Sequence, residues 1–365
     1  MCFFHIVSQT MPRIRTATAR MLPELSPPLE RELTESNFPL TLWRELAALG
    51  WLKGFETPNQ LCPDYGQIAQ AAMTLTRAYA SPGLTMSWLG QLLKLDILKR
   101  YGNNTLNCIE EIESGQTLCA LAISEPNAGA HPKHLTCRAE STGDGIVLTG
   151  KKAYVSQGPH ADWFIVLAIS DEVADRKQFS AFIVPRSQRG LTLATPERGQ
   201  GLASHSHCGI TFERCELPAA ARIGTPGRAF EEISQPMRSL EDVLMLAPIA
   251  AAIRLQLELL AGIPEGKIPT EELTPAFCLS ETVSELGLLS ARRLGQNAIP
   301  PDLSALVIGA RALIEQSQSL IAPWMSLHPK LETLGKDIRL LTSIGQSATY
   351  KRAARLARAL APTGG

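Results

Sequence analysis

The sequence predicts an α+β fold in three parts: an N-terminal helical domain, a central antiparallel β-barrel or sandwich, and a C-terminal helical bundle. The period of the apolar residues carries this prediction. It is helical up to about residue 117, changes to two with Gly and Pro punctuation from 118 to about 225, and is helical again afterwards. The expected divisions are a poorly ordered extension, the helical domain, the β-domain and the bundle, at residues 1–29, 30–117, 118–225 and 226–365.

The first helical part contains an amphipathic segment from Leu40 to Gly50, in which apolar residues recur at helical spacing and the glycine supplies the stop. The same pattern predicts helices over 67–80 and 84–101, with a fourth around 105–113. Arginines without any acid before residue 24 faintly resemble a mitochondrial transit peptide. Their spacing gives no clear helical face, so we favour an overextended start and expect a cytoplasmic protein.

The central part opens with a short apolar strand (118–123) that ends at Ser124 and runs into a small-residue turn (126–130). A Gly-Asp-Gly hairpin turn then precedes a second strand, which ends at Ser156. Small turn residues let backbone N–H groups approach a flat or anionic ligand, and strand-end hydroxyls can bind the polar edge of a heterocycle. Each serine alone is more typical of an ordinary turn in an exposed hairpin.

Further strands are expected over 179–185 and 208–212, and the closing segment of the β-domain runs to Gly224. Helices return from residue 226. They are predicted over 229–260 (one or two helices), 274–294, 303–321 and 330–360, which suits a four-helix bundle.

Composition excludes several classes of function. Lys+Arg and Asp+Glu both number 35, so no global field favours nucleic acid or an anionic membrane. The 8 cysteines contain no CxxC pair, which predicts reduced thiols and neither a disulfide framework nor a zinc site. The sequence contains no run of eighteen apolar residues, so we predict no membrane span. His205 and His207 alternate as metal ligands can, but no third ligand is placed, so we expect a barrel surface and no metal.

The motifs at 118–170, in this order and at this spacing, resemble the middle domain of the acyl-CoA dehydrogenase family, of which the chain looks like a divergent member. The segment 199–224 is similar to the exit strands of that domain. The resemblance implies FAD, with the N5 edge of the flavin at Ser156 and its pyrimidine edge at Ser124. The implied cofactor contacts are Leu121, Ile123, Ser124, Ala130, Tyr154, Val155 and Ser156.

The resemblance also implies a catalytic base. Most members place a Glu near the C-terminus, but the last helix here, 348–360, contains no carboxylate. A minority place it on the first long helix after the barrel, and the segment 239–247 matches that pattern with Glu241 at the base position. Asp242 stands where the family usually has Arg. An ordinary first-turn glutamate after Ser239 as N-cap explains the same residues, and both interpretations stay open.

The implied function is FAD-dependent α,β-dehydrogenation of an acyl-CoA or acyl-carrier thioester, in lipid metabolism. The electrons would pass to a flavin-linked acceptor. The chain would assemble as a homodimer or homotetramer. Several departures support alternatives: Gly129-Ala130-His131 lacks the usual Ser-Asp, and the adenine-side segments are missing. The alternatives are a non-oxidative flavin-assisted acyl-CoA enzyme, or a degenerate paralogue that serves as a non-catalytic or accessory subunit.

Overall fold

The structure, a computed structural model, describes residues 21–35, 38–56, 63–102, 108–195, 201–202, 204–263, 268–295, 300 and 302–358. The N-terminal helices are α1 (Pro27–Glu35), α2 (Leu40–Ala48), α3 (Tyr65–Tyr79), α4 (Pro82–Tyr101) and α5 (Cys108–Glu113). Two of them begin at side-chain caps, because Asp64 accepts a hydrogen bond from Gln67 N and Ser81 accepts one from Leu84 N.

The predicted poorly ordered extension is too long. Residues 21–29 pack against the helical domain: Trp51 Nε1 donates to Met21 O at 2.8 Å and the Tyr79 hydroxyl donates to Pro23 O at 2.9 Å. Leu29 is buried in α1, which already begins at Pro27. The part of the extension before residue 21 lies outside the described residues.

The strands are β1 (Cys119–Ala122), β2 (Arg138–Thr142), β3 (Gly145–Ser156), β4 (Trp163–Val173), β5 (Arg176–Pro185), β6 (Leu191–Leu193), β7 (His207–Pro218) and β8 (Arg222–Ile223). They form one sheet in the order β6-β7-β3-β2-β4-β5-β8, with β1 paired to β4. Most pairings are antiparallel, as predicted, but β1 and β2 run parallel to β4. The central domain is therefore a mixed sheet in which antiparallel pairs dominate, and β1 enters it directly from the helical domain instead of from a hairpin.

Strand β4 shows how the sheet separates two cores. Phe164, Val166 and Ala168 face a core enclosed by the strands themselves. The alternate residues Ile165, Leu167 and Ile169 belong to the larger core that the sheet shares with the helices. This period of two places one face of the sheet against the helical domains.

A π-helical turn (Phe230–Ser234) leads into the C-terminal helices α6 (Gln235–Leu244), α7 (Leu246–Ala261), α8 (Thr270–Arg292), α9 (Leu303–Ile321), α10 (Pro329–Ser343) and α11 (Gln346–Arg358). The predicted last helix is thus two helices, since Gly345 adopts φ +66° between them. The stretch Phe230–Ala261 is long and apolar enough to cross a membrane, but 78% of its apolar window is buried inside the protein. It is accordingly a core element of the fold.

Candidate active site

A cavity of about 590 Å³ lies where α4, the ends of β1 and β3, and α6 meet, and α11 closes one side of it. Most of its lining is apolar, from residues on each of these elements: Met86, Leu89, Leu93, Leu121, Ile123, Phe230, Met237, Leu244, Met245 and Ile344. A mostly apolar cavity with a few polar groups is the usual form of a small-molecule site.

The two strand-end serines line this cavity together. Ala153 N donates to Ser124 O at 2.9 Å, which joins the end of β1 to β3 three residues before Ser156. Within the described residues, neither serine hydroxyl makes a hydrogen bond to the protein, so both are available to a ligand. A β-bulge between Lys152 and Val155, with Tyr154 at φ +56°, turns the end of β3 at this point.

Six of the seven predicted cofactor contacts line the cavity, namely Leu121, Ile123, Ser124, Ala130, Tyr154 and Ser156. The seventh, Val155, does not line the cavity with its side chain. It lies buried in the core enclosed by the strands, because residues alternate sides along β3 and Val155 falls on the inner face.

A buried ion pair holds the turn that follows Ser124. Lys152 Nζ donates to Glu125 Oε1 at 2.9 Å and to Ile123 O at 3.0 Å, and both charged side chains are almost fully buried. Glu125 also accepts hydrogen bonds from Thr136 N and Cys137 N. Burial opposes ionisation of Glu125, but Lys152 and these donors hold the pKa of that carboxyl below its ordinary value.

Glu241 projects from the middle of α6 into the cavity. About a third of its side chain (33%) remains accessible, and its Oε2 lies 3.5 Å from Arg238 Nη1. Burial raises the pKa of Glu241; Arg238 and Lys94 oppose that rise, and Asp242 adds to it. Interpreting Glu241 as a first-turn residue capped by Ser239 is wrong, because α6 begins at Gln235 and the Ser239 hydroxyl donates back to Gln235 O.

Three neighbouring polar residues of the cavity wall, Ser87, Gln157 and His205, are not among the site residues predicted from the sequence. Ser87 on α4 lies next to His205, with Oγ 3.0 Å from Nδ1, and Gln157 Nε2 donates to Ser87 Oγ. Within the described residues, Gln157 Oε1 and His205 Nε2 have no hydrogen-bond partner. Burial, reinforced by His207 and Lys94, holds the pKa of His205 well below its ordinary value, so this imidazole is neutral.

The expectation that His205 lies on the barrel surface is therefore wrong. It is only 9% exposed because the loop before β7 lies under α4, where Ser87 Oγ donates to Ser204 O at 2.8 Å. His207 also lines the cavity, and its ring centroid is 4.9 Å from that of His205. Among the described residues, no cluster of three or more His, Cys, Asp or Glu side chains could hold a metal.

Comparison with known proteins identifies the relationship. Residues 120–215 match the family described as "Acyl-CoA dehydrogenase, middle domain". The chain is 31% identical over 219 residues to the short-chain specific acyl-CoA dehydrogenase of Homo sapiens mitochondria, covering 59% of this chain and 53% of that protein. It is 30% identical over 228 residues to isovaleryl-CoA dehydrogenase of Pongo abelii, covering 60% and 53%. The matches thus span about half the length of these curated relatives.

The fold agrees over nearly the whole chain. Butyryl-CoA dehydrogenase from Megasphaera elsdenii superposes with a TM-score of 0.74 at 15% identity, covering 93% of this chain and 100% of that one. The FAD complex of PigA superposes with a TM-score of 0.76 at 18% identity, covering 93% and 99%. Residues 120–215 are thus similar to the acyl-CoA dehydrogenase middle domain, and the chain shares the fold of these solved structures. The predicted fold class is confirmed.

One departure from the family pattern is Asp242, which follows Glu241 where the family usually has Arg. Its carboxylate faces away from the cavity and is almost fully buried. Arg238 and Arg352 donate to it, Arg311 Nη2 lies 3.3 Å from Oδ1, and the Thr349 hydroxyl donates at 2.6 Å. Three guanidinium groups therefore balance the second acid, so its charge is not left to repel an anion in the cavity.

A second departure lies in α11, at the C-terminal position where most members carry the base. This helix lines the cavity with Ala348 and Arg352 and brings no carboxylate to it. Arg352 is half-buried against Asp242. Glu241 is the carboxylate that lines the cavity among the described residues.

Proposed function

We propose that this chain is a flavoprotein that removes hydrogen from the α and β carbons of an acyl thioester, with Glu241 as the base that accepts the α-proton. One observation carries the proposal: Glu241 and the Ser124 and Ser156 residues line the same mostly apolar cavity, although they come from three different elements. The match of residues 120–215 to the acyl-CoA dehydrogenase middle domain supports the same type of reaction.

The residues of the strand ends fit a flavin. The hydroxyls of Ser124 and Ser156 have no hydrogen-bond partner among the described residues, and the turn after Ser124 is held rigidly by the pair of Glu125 and Lys152. Ser124, Ser156 and the adjacent backbone would hold the ring. The structural neighbour PigA is known as a complex with FAD. When bound, FAD supplies the acceptor for the hydride that leaves the β-carbon.

The environment of Glu241 suits proton abstraction from carbon. Burial raises the pKa of its carboxyl, which makes the carboxylate a stronger base than it is in water. Arg238, at 3.5 Å, and Lys94 keep that rise in check, so that the ionised form persists. The apolar side chains of α4 and α6 would surround the acyl chain and exclude water from the reacting carbons.

The finer assignments follow from the same proposal. The thioester would be carried on CoA or on a carrier protein, and the electrons would pass to a flavin-linked acceptor. A homodimer or homotetramer in the cytoplasm would be the functional form.

The test is the visible absorption spectrum of the purified protein after incubation with FAD and removal of the excess. We expect the flavin bands to remain with the protein, and Ser124→Ala together with Ser156→Ala to weaken FAD binding. Lys151→Met, at an exposed position of β3 outside the cavity, is the control. A folded wild-type protein that stays colourless would contradict the proposal and favour an accessory, non-catalytic role.

A further inference from the structure

Lys94 is a buried cation in the wall of the cavity. It lies on α4, only 4% of the residue is exposed, and it lines the cavity with Leu93 and Gly90. Burying an ammonium group without a partner is costly, so buried lysines are normally paired with an acid. The nature of its partner therefore indicates what the residue does.

Lys152 shows the usual solution in this same protein. It is equally buried, but its Nζ lies 2.9 Å from Glu125 Oε1 and 3.0 Å from Ile123 O. Lys94 differs, because within the described residues no carboxylate lies within ion-pair distance of its Nζ. Glu241 lines the same cavity but forms its ion pair with Arg238.

The surrounding charges do not supply the missing anion. The cations around this end of the cavity are Lys94, Arg238, Arg311 and Arg352, and the acids are Glu241 and Asp242. Asp242 is already shared by the three arginines, and Glu241 lies beside Arg238. Counting Lys and Arg against Asp and Glu, this end of the cavity carries a net charge of +2.

Packing gives no structural reason for the ammonium group. Gln91 is the polar residue of α4 that joins the helix to the sheet. Its Nε2 donates to Cys119 O at 2.7 Å, and its Oε1 accepts from Cys119 N at 3.1 Å. A methionine at position 94 would fill a similar volume without the cost of a buried charge. An anion bound in the cavity could complete the coordination of this ammonium group.

We propose that Lys94 forms an anion subsite that selects an acyl group carrying a carboxylate. The proposal rests on the proposed function, since it takes the cavity to be the acyl site, and it deepens that function by naming the substrate class. Because Lys94 and Glu241 line the same cavity, the carboxylate would lie in the pocket that holds the reacting carbons. The expected substrate is a short acyl thioester with an acidic end, and the ammonium group would donate a charge-assisted hydrogen bond to it.

The test compares two five-carbon ligands of equal length, glutaryl-CoA and pentanoyl-CoA, by isothermal titration of the full-length protein without an electron acceptor. We expect the wild type to prefer glutaryl-CoA. Lys94→Met should lose that preference by about ten- to a hundredfold, which is the usual strength of a hydrogen bond to a charged group. Binding of pentanoyl-CoA should stay the same or improve. Lys151→Met, which removes an exposed lysine outside the cavity, should change neither affinity.

The wild-type comparison alone keeps the proposal testable if Lys94→Met does not fold. A protein that retains FAD and binds pentanoyl-CoA but shows no preference for glutaryl-CoA would overturn the anion subsite and leave the proposed function standing. Equal weakening of both ligands by Lys94→Met would also overturn it, since that result means that Lys94 does not recognise the terminal carboxylate. Failure of both thioesters to bind would overturn the subsite and the proposed function together.

Discussion

Glu241 and Asp242 are adjacent in the sequence but have opposite environments. Glu241 faces the cavity with one guanidinium group at 3.5 Å, whereas Asp242 points into the protein, where three arginines and a threonine hydroxyl surround it. Successive residues of an α-helix point about 100° apart around its axis, and this difference in direction produces the contrast. The first carboxylate is thereby free to react and the second is held in the structure.

The pH dependence of the reaction follows from the environment of Glu241. Burial is the main cause that raises its pKa above the ordinary 4.5, with Arg238 and Lys94 opposing and Asp242 adding to the rise. The base works as the carboxylate, so the rate should be lost as pH falls through this raised pKa. We expect the acid limb of kcat/KM to lie above pH 4.5. A rate that stays constant down to that pH would contradict the assignment.

The sequence could place the residues of the strand ends and of α6 because their signals are local. Ser124 and Ser156 each stand at a strand end beside small turn residues, and Glu241 follows the last strand by a short, recognisable interval. Lys94 was missed, although one signal existed. It lies seven residues after Ser87 on the buried side of α4, where a polar residue is unusual.

Other residues could not be found from the sequence because their roles depend on distant partners. Asp242 meets Arg311 and Arg352 across 69 and 110 residues, and Ser87 meets His205 across 118. Nothing in the local pattern of α6 distinguishes a repelling acid from one that is already neutralised. The neutralisation of Asp242 therefore depends on contacts between elements that only folding brings together.

At the level of elements, α11 is held to α6 through one buried carboxylate. Thr349 and Arg352 of α11 both donate to Asp242, and Gly345 permits the close approach of Arg238. A Cβ at Gly345, which has φ +66°, would lie 2.5 Å from Arg238 Cζ. The wall that α11 gives to the cavity depends on this cluster.

Replacing Asp242 with Asn should therefore loosen α11. The change leaves Arg311, which is 5% exposed, without its charge partner. Breaking a buried ion pair from one side costs about 3–5 kcal/mol in the free energy of unfolding. Chemical denaturation measures this cost. Glu332→Gln, in an exposed pair with Lys336, is the matched control and should leave the free energy of unfolding nearly unchanged. Equal losses in the two variants would contradict this account of α11.

The turn after β1 gives a second prediction at this scale. Lys152→Met leaves the Glu125 carboxylate buried with backbone donors but without its cation. We expect a loss of about 3–5 kcal/mol in unfolding free energy and weaker FAD retention, since the turn beside Ser124 loses its anchor. Adding Glu125→Gln should restore part of the stability, because the uncompensated charge disappears. A double variant no more stable than Lys152→Met would show that the pair is not coupled in this way.

On the scale of the whole molecule, each part of the fold supplies one wall of the cavity. The helical domain gives α4, the β-domain gives the ends of β1 and β3, and the C-terminal helices give α6 and α11. The two faces of β4 explain the arrangement, since one face closes the strand core and the other packs against the helices. The site is thus a property of the assembled chain, and no single part contains it.

The central claim is that Glu241 removes a proton from a thioester beside a flavin, and anaerobic flavin reduction tests it most directly. Wild-type protein loaded with FAD should lose its visible flavin absorbance on mixing with a suitable acyl-CoA. Glu241→Gln should keep its FAD content and melting temperature but reduce the flavin about 10²–10⁴-fold more slowly. Bleaching of the Glu241→Gln flavin at the wild-type rate would contradict the claim.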